Sequence, residues 1–407
     1  MHHPRYWTNS PVGLAEAPTG RNRQSQPGAK ELIYLDHQAS TSMHPAALAA
    51  TQEAMLALNA NPHAHEHAAG WRAADAIETA RREIAEAIGG DPDEIVFTAG
   101  ATEANNLALI GTAAQPGERL KLVVTAFEHK AVLEPARELE RRGFDLVIAP
   151  VTRAGLVDLD ALGRAIDEQT LLVSCMAVNN ELGTVQPIEA VARLCRHVGA
   201  LLHVDAAQAL GWSAVDVLSF DADLVSLSAH KAGGPKGVGA LWVRREIRDR
   251  IGPINFGGDQ EGGLRPGTLP TALCIGFGAA CRHLPTAAEL DEWRARRKTF
   301  EQRLCKAFPG AMINGSEVER HPGAISLTFP DGDAETLILR LQPHVAISRG
   351  SACTSGIPEP SHVLRAICLD ARACDRTVRI SIGRSTTQDE LDRAFEAIRQ
   401  AYLDLVN

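Results

Sequence analysis

Seven short apolar runs lie between residues 94 and 243: Glu94–Thr98 (EIVFT), Leu120–Thr125 (LKLVVT), Asp145–Ala149 (DLVIA), Thr170–Cys175 (TLLVSC), Ala200–Val204 (ALLHV), Leu224–Leu227 (LVSL) and Gly239–Val243 (GALWV). Each is continuous rather than alternating, which predicts strands buried on both faces. Between them run helix-like stretches rich in Ala, Glu, Arg and Leu, such as Ala73–Ile88 and Val132–Arg142. Parallel neighbours need a crossover connection, usually a helix. Strand and helix in alternation therefore predict an α/β fold with a mainly parallel sheet sandwiched by helices.

After Pro285 the pattern changes. A charged helix, Glu289–Lys306, leads to fewer and more separated strands: Ala324–Phe329, Val345–Ser348 and Val378–Ile382. A closing helix, Thr387–Leu405, is preceded by Ser385-Thr386-Thr387, with Glu390 placed to complete a capping box. This predicts a second, smaller α+β domain. A chain of 407 residues exceeds one ordinary core. The expected layout is a flexible extension (1–30), a segment belonging to the small domain (31–45), a large domain (46–288) and a small C-terminal domain (289–407).

The net charge of −9 argues against a nucleic-acid surface, which needs a basic footprint. No apolar run approaches the ~18 residues that span a bilayer. Eight cysteines (175, 195, 274, 281, 305, 353, 368 and 374) form no C-x-x-C pair, and several sit in apolar runs. That usage suits a reducing cytoplasm. Pro4, Pro11 and Pro18 break the amphipathic helix that a transit peptide would need, and residues 1–30 hold no apolar signal core.

In open α/β sheets ligands sit beyond the carboxyl ends of the strands, so the residues that follow each run carry the functional signal. After EIVFT come small residues, Thr102 and a helix, a turn suited to an anion. After LKLVVT comes His129. After TLLVSC come Asn179, Asn180 and Glu181. After ALLHV come Asp205 and Gln208, and Asp205 needs a cationic partner if it is buried. After LVSL come Ser228, His230 and Lys231, then Ala232-Gly233-Gly234. One ligand would satisfy the set: a phosphate for the Thr102 turn, a protonated ring nitrogen for Asp205, a ring hydroxyl for Gln208, a flat face for His129 and an aldehyde for Lys231. That ligand is pyridoxal 5′-phosphate.

The motifs YLDHQAST (34–41), NPHAHEHAAG (61–70), EIVFTAGATEANNLAL (94–109), EHKAVL (128–133), VNNELGTVQPI (178–188), HVDAAQALG (203–211), SLSAHKAGGPKGVGAL (226–241), RPGTLP (265–270), SRGSACTSG (348–356) and VRISIGR (378–384) resemble the class V aminotransferase family, fold type I. Within it they resemble the cysteine desulfurases of the group that supplies sulfur for iron–sulfur clusters. The resemblance implies Lys231 as the Schiff-base lysine, Asp205 at the pyridine nitrogen, Gln208 at the ring oxygen and His129 stacked on the ring. It implies Thr102, Ser228 and His230 at the phosphate, joined by Thr268 from a second subunit, which makes a homodimer. Asn180 and Arg379 would hold the substrate carboxylate.

Cys353 stands apart from the other cysteines. Ser, Gly and Thr flank it in RGSACTSG, so it reads as an accessible thiol on a loop, with Arg349 near enough in sequence to favour the thiolate. The resemblance makes it the sulfur acceptor. The implied reaction takes L-cysteine to L-alanine and leaves a persulfide on Cys353 for an acceptor protein, a scaffold or thiolation enzyme. A selenocysteine lyase or another class V lyase or aminotransferase is the alternative. Ala232-Gly233 replaces bulkier residues of close relatives, residues 1–30 have no family counterpart, and the longer C-terminal tail with which some members dock a scaffold has no match after Asn407. His63, His65 and His67 lack the partners of a metal site, and no metal is expected.

Overall fold

The computed structural model describes residues 32–212, 215–350 and 361–406. A short strand β1 (Ile33–Tyr34) opens it. Seven strands then build the large sheet: β2 (Ile95–Thr98), β3 (Lys121–Thr125), β4 (Asp145–Ala149), β5 (Thr170–Ser174), β6 (Leu201–Asp205), β7 (Leu224–Ser228) and β8 (Gly239–Val243). Four more follow: β9 (Met312–Ile313), β10 (Ala324–Thr328), β11 (Val345–Ala346) and β12 (Thr377–Ser381). The large sheet has the order β2-β8-β7-β6-β5-β3-β4, and β8 alone runs antiparallel to its neighbours.

The helices are α1 (Pro45–Ala57), α2 (Ala68–Ile88), α3 (Ala101–Ala113), α4 (Lys130–Arg141), α5 (Leu159–Ala165), α6 (Ile188–Val198), α7 (Thr271–Cys281), α8 (Ala287–Ala307), α9 (Ala334–Leu341), α10 (His362–Ala366), α11 (Ala371–Asp375) and α12 (Gln388–Val406). None of the described helices is long and apolar enough to cross a membrane.

Successive residues of the central strands enter two different cores, because strand side chains alternate between faces. Phe97, Val123, Val173, Val204 and Leu227 join one buried cluster with Ile84 of α2, Val191 of α6 and Phe277 of α7. Val96, Leu122, Leu172, Leu224 and Leu241 join another with Leu107 of α3 and Ala136 of α4. That is why the runs are continuous in sequence. One run departs from the expectation: β4 is an edge strand, and Asp145 and Ile148 are exposed.

Beyond the large sheet, β12, β10 and β9 form an antiparallel sheet, and β1 pairs in parallel with β11. The first cluster continues into this region through Ile325, Val378 and Ile398, so both sheets share buried contact. The expected capping box at the last helix is present: the Thr387 N–H donates to Glu390 (2.7 Å) and the Glu390 N–H to Thr387 Oγ1 (3.2 Å).

Candidate active site

The carboxyl ends of β2, β3, β5, β6 and β7 open on one cavity of about 700 Å³. Thr102, His129, Asn180, Asp205, Gln208, Ser228, His230 and Lys231 all line it. Asp205 and Ser228 are the last residues of β6 and β7, and the others stand on the segments that follow the strand ends.

Lys231 is half-buried, and its Nζ donates to the backbone oxygen of Gln38 (3.1 Å). The same oxygen accepts from Gln208 Nε2 (2.8 Å), so one carbonyl holds two site residues together. The Lys231 turn packs tightly. A Cβ on Gly211 would lie 2.6 Å from the Lys231 carbonyl oxygen, so only glycine fits there.

Asp205 is buried, and two donors hold its oxygens. Oδ2 accepts from Asn105 Nδ2 (2.8 Å) and Oδ1 from the Ala207 N–H (2.9 Å). Both donors are neutral, so these two bonds leave the carboxylate its negative charge. Behind it runs a buried chain, Ser174 Oγ to His203 Nδ1 (2.8 Å) and His203 Nε2 to Ser226 Oγ (2.9 Å). Burial lowers the His203 pKa to about 4, so this ring is neutral near pH 7.

His129 is the N-cap of α4. Its Nδ1 accepts from the Ala131 N–H (3.1 Å), which leaves Nε2 to carry the proton of the neutral ring. Burial is the main cause that lowers its pKa, with Asp205 opposing. His230 is likewise lowered, to about 4, by burial and then by Lys231 and Lys236, and it pairs with Ser40 Oγ (3.2 Å).

Helix α3 has Gly100 as its N-cap and no side-chain cap. Its first-turn N–H groups border the cavity with Thr102, an arrangement suited to a phosphate. Glu103 in that turn is drawn away, bonded to the Ala99 N–H and paired with Arg265 (3.2 Å).

Two residues stand elsewhere. Arg379, on β12, is outside the cavity lining. Its Nη2 pairs with Asp36 (2.7 Å) and its Nη1 donates to the Asn180 backbone oxygen (2.8 Å). A buried guanidinium needs a counter-charge, and Asp36 supplies it. Asn180 Oδ1 and Arg379 Nε are buried and have no partner. Thr268 is exposed in the loop before α7, beside Met55 and Asn59, and does not line this cavity in its own chain. Cys353 lies outside the described residues. His67 caps α2 by accepting from the Gly70 N–H (3.0 Å).

Asn105 and Glu128 escaped the sequence reading. Asn105 had a signal, since it stands three residues after Thr102 on the same helical face. Glu128 is fully buried before His129. Its Oε1 accepts from Thr125 Oγ1 (2.5 Å) and the Met176 N–H (2.7 Å), and Oε2 has no partner. Burial, aided by Asp205 and opposed by those donors, pushes its pKa up from 4.5 to about 8. The folded protein thus keeps a proton that the unfolded chain gives up near pH 4.5. The resulting stabilisation is full below that pH and is lost as pH rises to 8, by at most about 1.4 kcal/mol per pH unit. Glu128→Gln cannot lose the proton. Its melting temperature should rise relative to wild type between pH 5 and pH 8, and a pH-independent difference would refute the assignment.

The chain matches the family model described as aminotransferase class-V over residues 33–394. It is 44% identical to "Cysteine desulfurase, mitochondrial" of Arabidopsis thaliana over 370 residues, 89% of this chain and 81% of that one. Among solved structures, a "NifS-like protein" superposes with a TM-score of 0.85 at 32% identity, covering 92% of this chain and 100% of that one. A structure titled "SspA in complex with cysteine" gives 0.78 at 36% identity, covering 87% and 100%. With its mostly parallel sheet flanked by helices, the chain belongs to the class-V aminotransferase family, in the fold type I architecture of the cysteine desulfurases.

Proposed function

We propose that this chain is a pyridoxal 5′-phosphate-dependent cysteine desulfurase that converts L-cysteine to L-alanine and keeps the sulfur on Cys353. One observation carries the reading. A lysine amine, a carboxylate hydrogen-bonded to two neutral donors and a helix N-terminus without a side-chain cap converge on one cavity. That donor set fits pyridoxal phosphate: Lys231 for the aldehyde, Asp205 for the protonated ring nitrogen, Gln208 for the ring oxygen, and Thr102, Ser228 and His230 for the phosphate. When bound, the cofactor supplies an electron sink for the substrate's Cα.

The residues of the chain do the rest. Lys231 takes the Cα proton and returns protons to the product. His129, neutral with the proton on Nε2, would lie against the bound cofactor's ring and exchange a proton with the substrate. Asn180 and Arg379 hold the substrate carboxylate, to which Arg379 Nε is still free to donate. The Cys353 thiolate attacks the substrate sulfur. An S–S bond forms as the Cβ–S bond breaks, the electron pair stays with carbon, and protonation there completes alanine. Cysteine and enzyme thiol thus become alanine and enzyme persulfide, and a later thiol acceptor takes the outer sulfur.

Thr268 completes the phosphate site of a second copy, so the working unit is a homodimer. The exposed Met55, Leu56 and Phe256 are available for such a contact. The sulfur goes to an acceptor protein, a cluster scaffold or a thiolation enzyme. Cysteine usage supports a cytoplasmic setting. The domain division at residue 288 assigns Arg379, whose Nη1 reaches the backbone oxygen of Asn180 in the cavity wall, to the smaller domain. The test is stoichiometry: with L-cysteine and a reductant the holoenzyme should release alanine and sulfide one to one. Pyruvate in place of alanine, or turnover of selenocysteine alone, would overturn the reading.

A further inference from the structure

Gly350 and Ser361 flank the segment that carries Cys353, and both reach the same buried side chain. Glu181 is 1% exposed. Its Oε2 accepts from Ser361 Oγ at 2.6 Å. Gly350 lies against the same atom: a Cβ there would stand 2.6 Å from Oε2. Gly350 has φ +104°, which also favours glycine. Glu181 is itself fixed, because its N–H donates to Asn179 Oδ1 (2.9 Å), and it follows Asn180 in the cavity wall. The far flank has further ties. His362 Nε2 bonds the Glu128 backbone oxygen (2.8 Å), and Val363, Leu364 and Ile367 pack on Phe127, Met176 and Leu182.

We propose that Glu181 is a positioning residue for sulfur transfer: one buried carboxyl fixes both flanks of the Cys353 segment against the wall that binds substrate. The inference rests on the desulfurase reading. Burial is the largest cause acting on the Glu181 carboxyl and raises its pKa, with Ser361 and Arg379 opposing, so the neutral acid is favoured beyond the ordinary range. An amide oxygen can accept the Ser361 bond in the place of Oε2, so glutamine should replace it. Oε1 has no hydrogen-bond partner among the described residues, so the bond from Ser361 to Oε2 is the one side-chain bond the carboxyl makes there.

The test uses reconstituted holoenzyme and separates binding from transfer. In Glu181→Ala the cofactor absorbance, and the L-cysteine concentration that half-saturates its change, should stay within about twofold of wild type. Alanine and persulfide formation should fall on the order of 10- to 100-fold, the loss expected when a reacting group is misplaced by about 1 Å. Glu181→Gln should restore most of the rate. Gly350→Ala, whose Cβ would press on Oε2, should reproduce the defect, and Ser361→Ala should reproduce it more weakly; these two carry the test if Glu181→Ala does not fold. The proposal is overturned if the alanine variants at 181 and 350 keep kcat within twofold, or if half-saturation rises in step with the loss of rate. Cys353→Ser in the same assay separates the two ideas. Loss of alanine there with a normal Glu181→Ala sinks only the positioning role, whereas persistence of alanine there sinks the desulfurase reading.

Discussion

Lys231→Ala should bind pyridoxal phosphate without becoming joined to it, and its turnover should fall on the order of 10³-fold, as expected when the proton-transfer group is removed. The residues placed for the phosphate and the ring nitrogen, Thr102, Ser228, His230 and Asp205, are untouched, so cofactor should remain associated but be lost on denaturation. In wild type, borohydride followed by peptide mapping should find the cofactor on the peptide holding Lys231. Lys236 also lines the cavity, which makes the mapping decisive. It is exposed, whereas Lys231 is half-buried and lies beside Gln208 through the shared Gln38 oxygen. Cofactor mapped to Lys236, or a Lys231→Ala variant with more than a tenth of wild-type turnover, would overturn the site.

The sequence made the sheet legible because its strands are buried on both faces, so Val123 and Val124 enter different cores yet both must be apolar. It made the cavity legible because residues with chemistry follow directly on strand ends. Three things were not legible. The order β2-β8-β7 and the antiparallel sense of β8 leave no mark in a run such as GALWV, which is as apolar as its parallel neighbours. The Gln38 carbonyl that joins Lys231 to Gln208 is backbone, and any residue type could supply it. The donors to Asp205 were hidden because one is an asparagine on another element and the other is backbone. Asn105 and the Ala207 N–H are neutral, and they leave the negative charge for the cationic ligand expected there.

Cys353→Ser should separate substrate binding from sulfur removal. Serine keeps the size of the side chain but lacks the nucleophilicity of a thiolate. The proposed site assigns binding of L-cysteine to Lys231, Asn180, Arg379 and the cofactor, so the variant should still change its absorbance when cysteine is added. It should release almost no alanine and carry no persulfide. The other cysteines are poor substitutes for stated reasons. None of the seven described ones lines the cavity. Cys175, Cys195, Cys274, Cys281 and Cys374 are buried, and burial raises every one of their pKa values, with Cys195 and Cys274 pushed up to about 12. Those thiols stay protonated near pH 7 and cannot attack sulfur. Cys305 and Cys368 are exposed, but on α8 and after α10, away from the cavity lining. In wild type, labelled sulfur from one turnover should therefore appear on the peptide containing Cys353 and on no other. Label on Cys305 or Cys368 with Cys353 unlabelled would move the acceptor. Alanine made by Cys353→Ser at the wild-type rate with a reductant present would remove the protein thiol from the reaction altogether, and a selenocysteine lyase would then describe the site better.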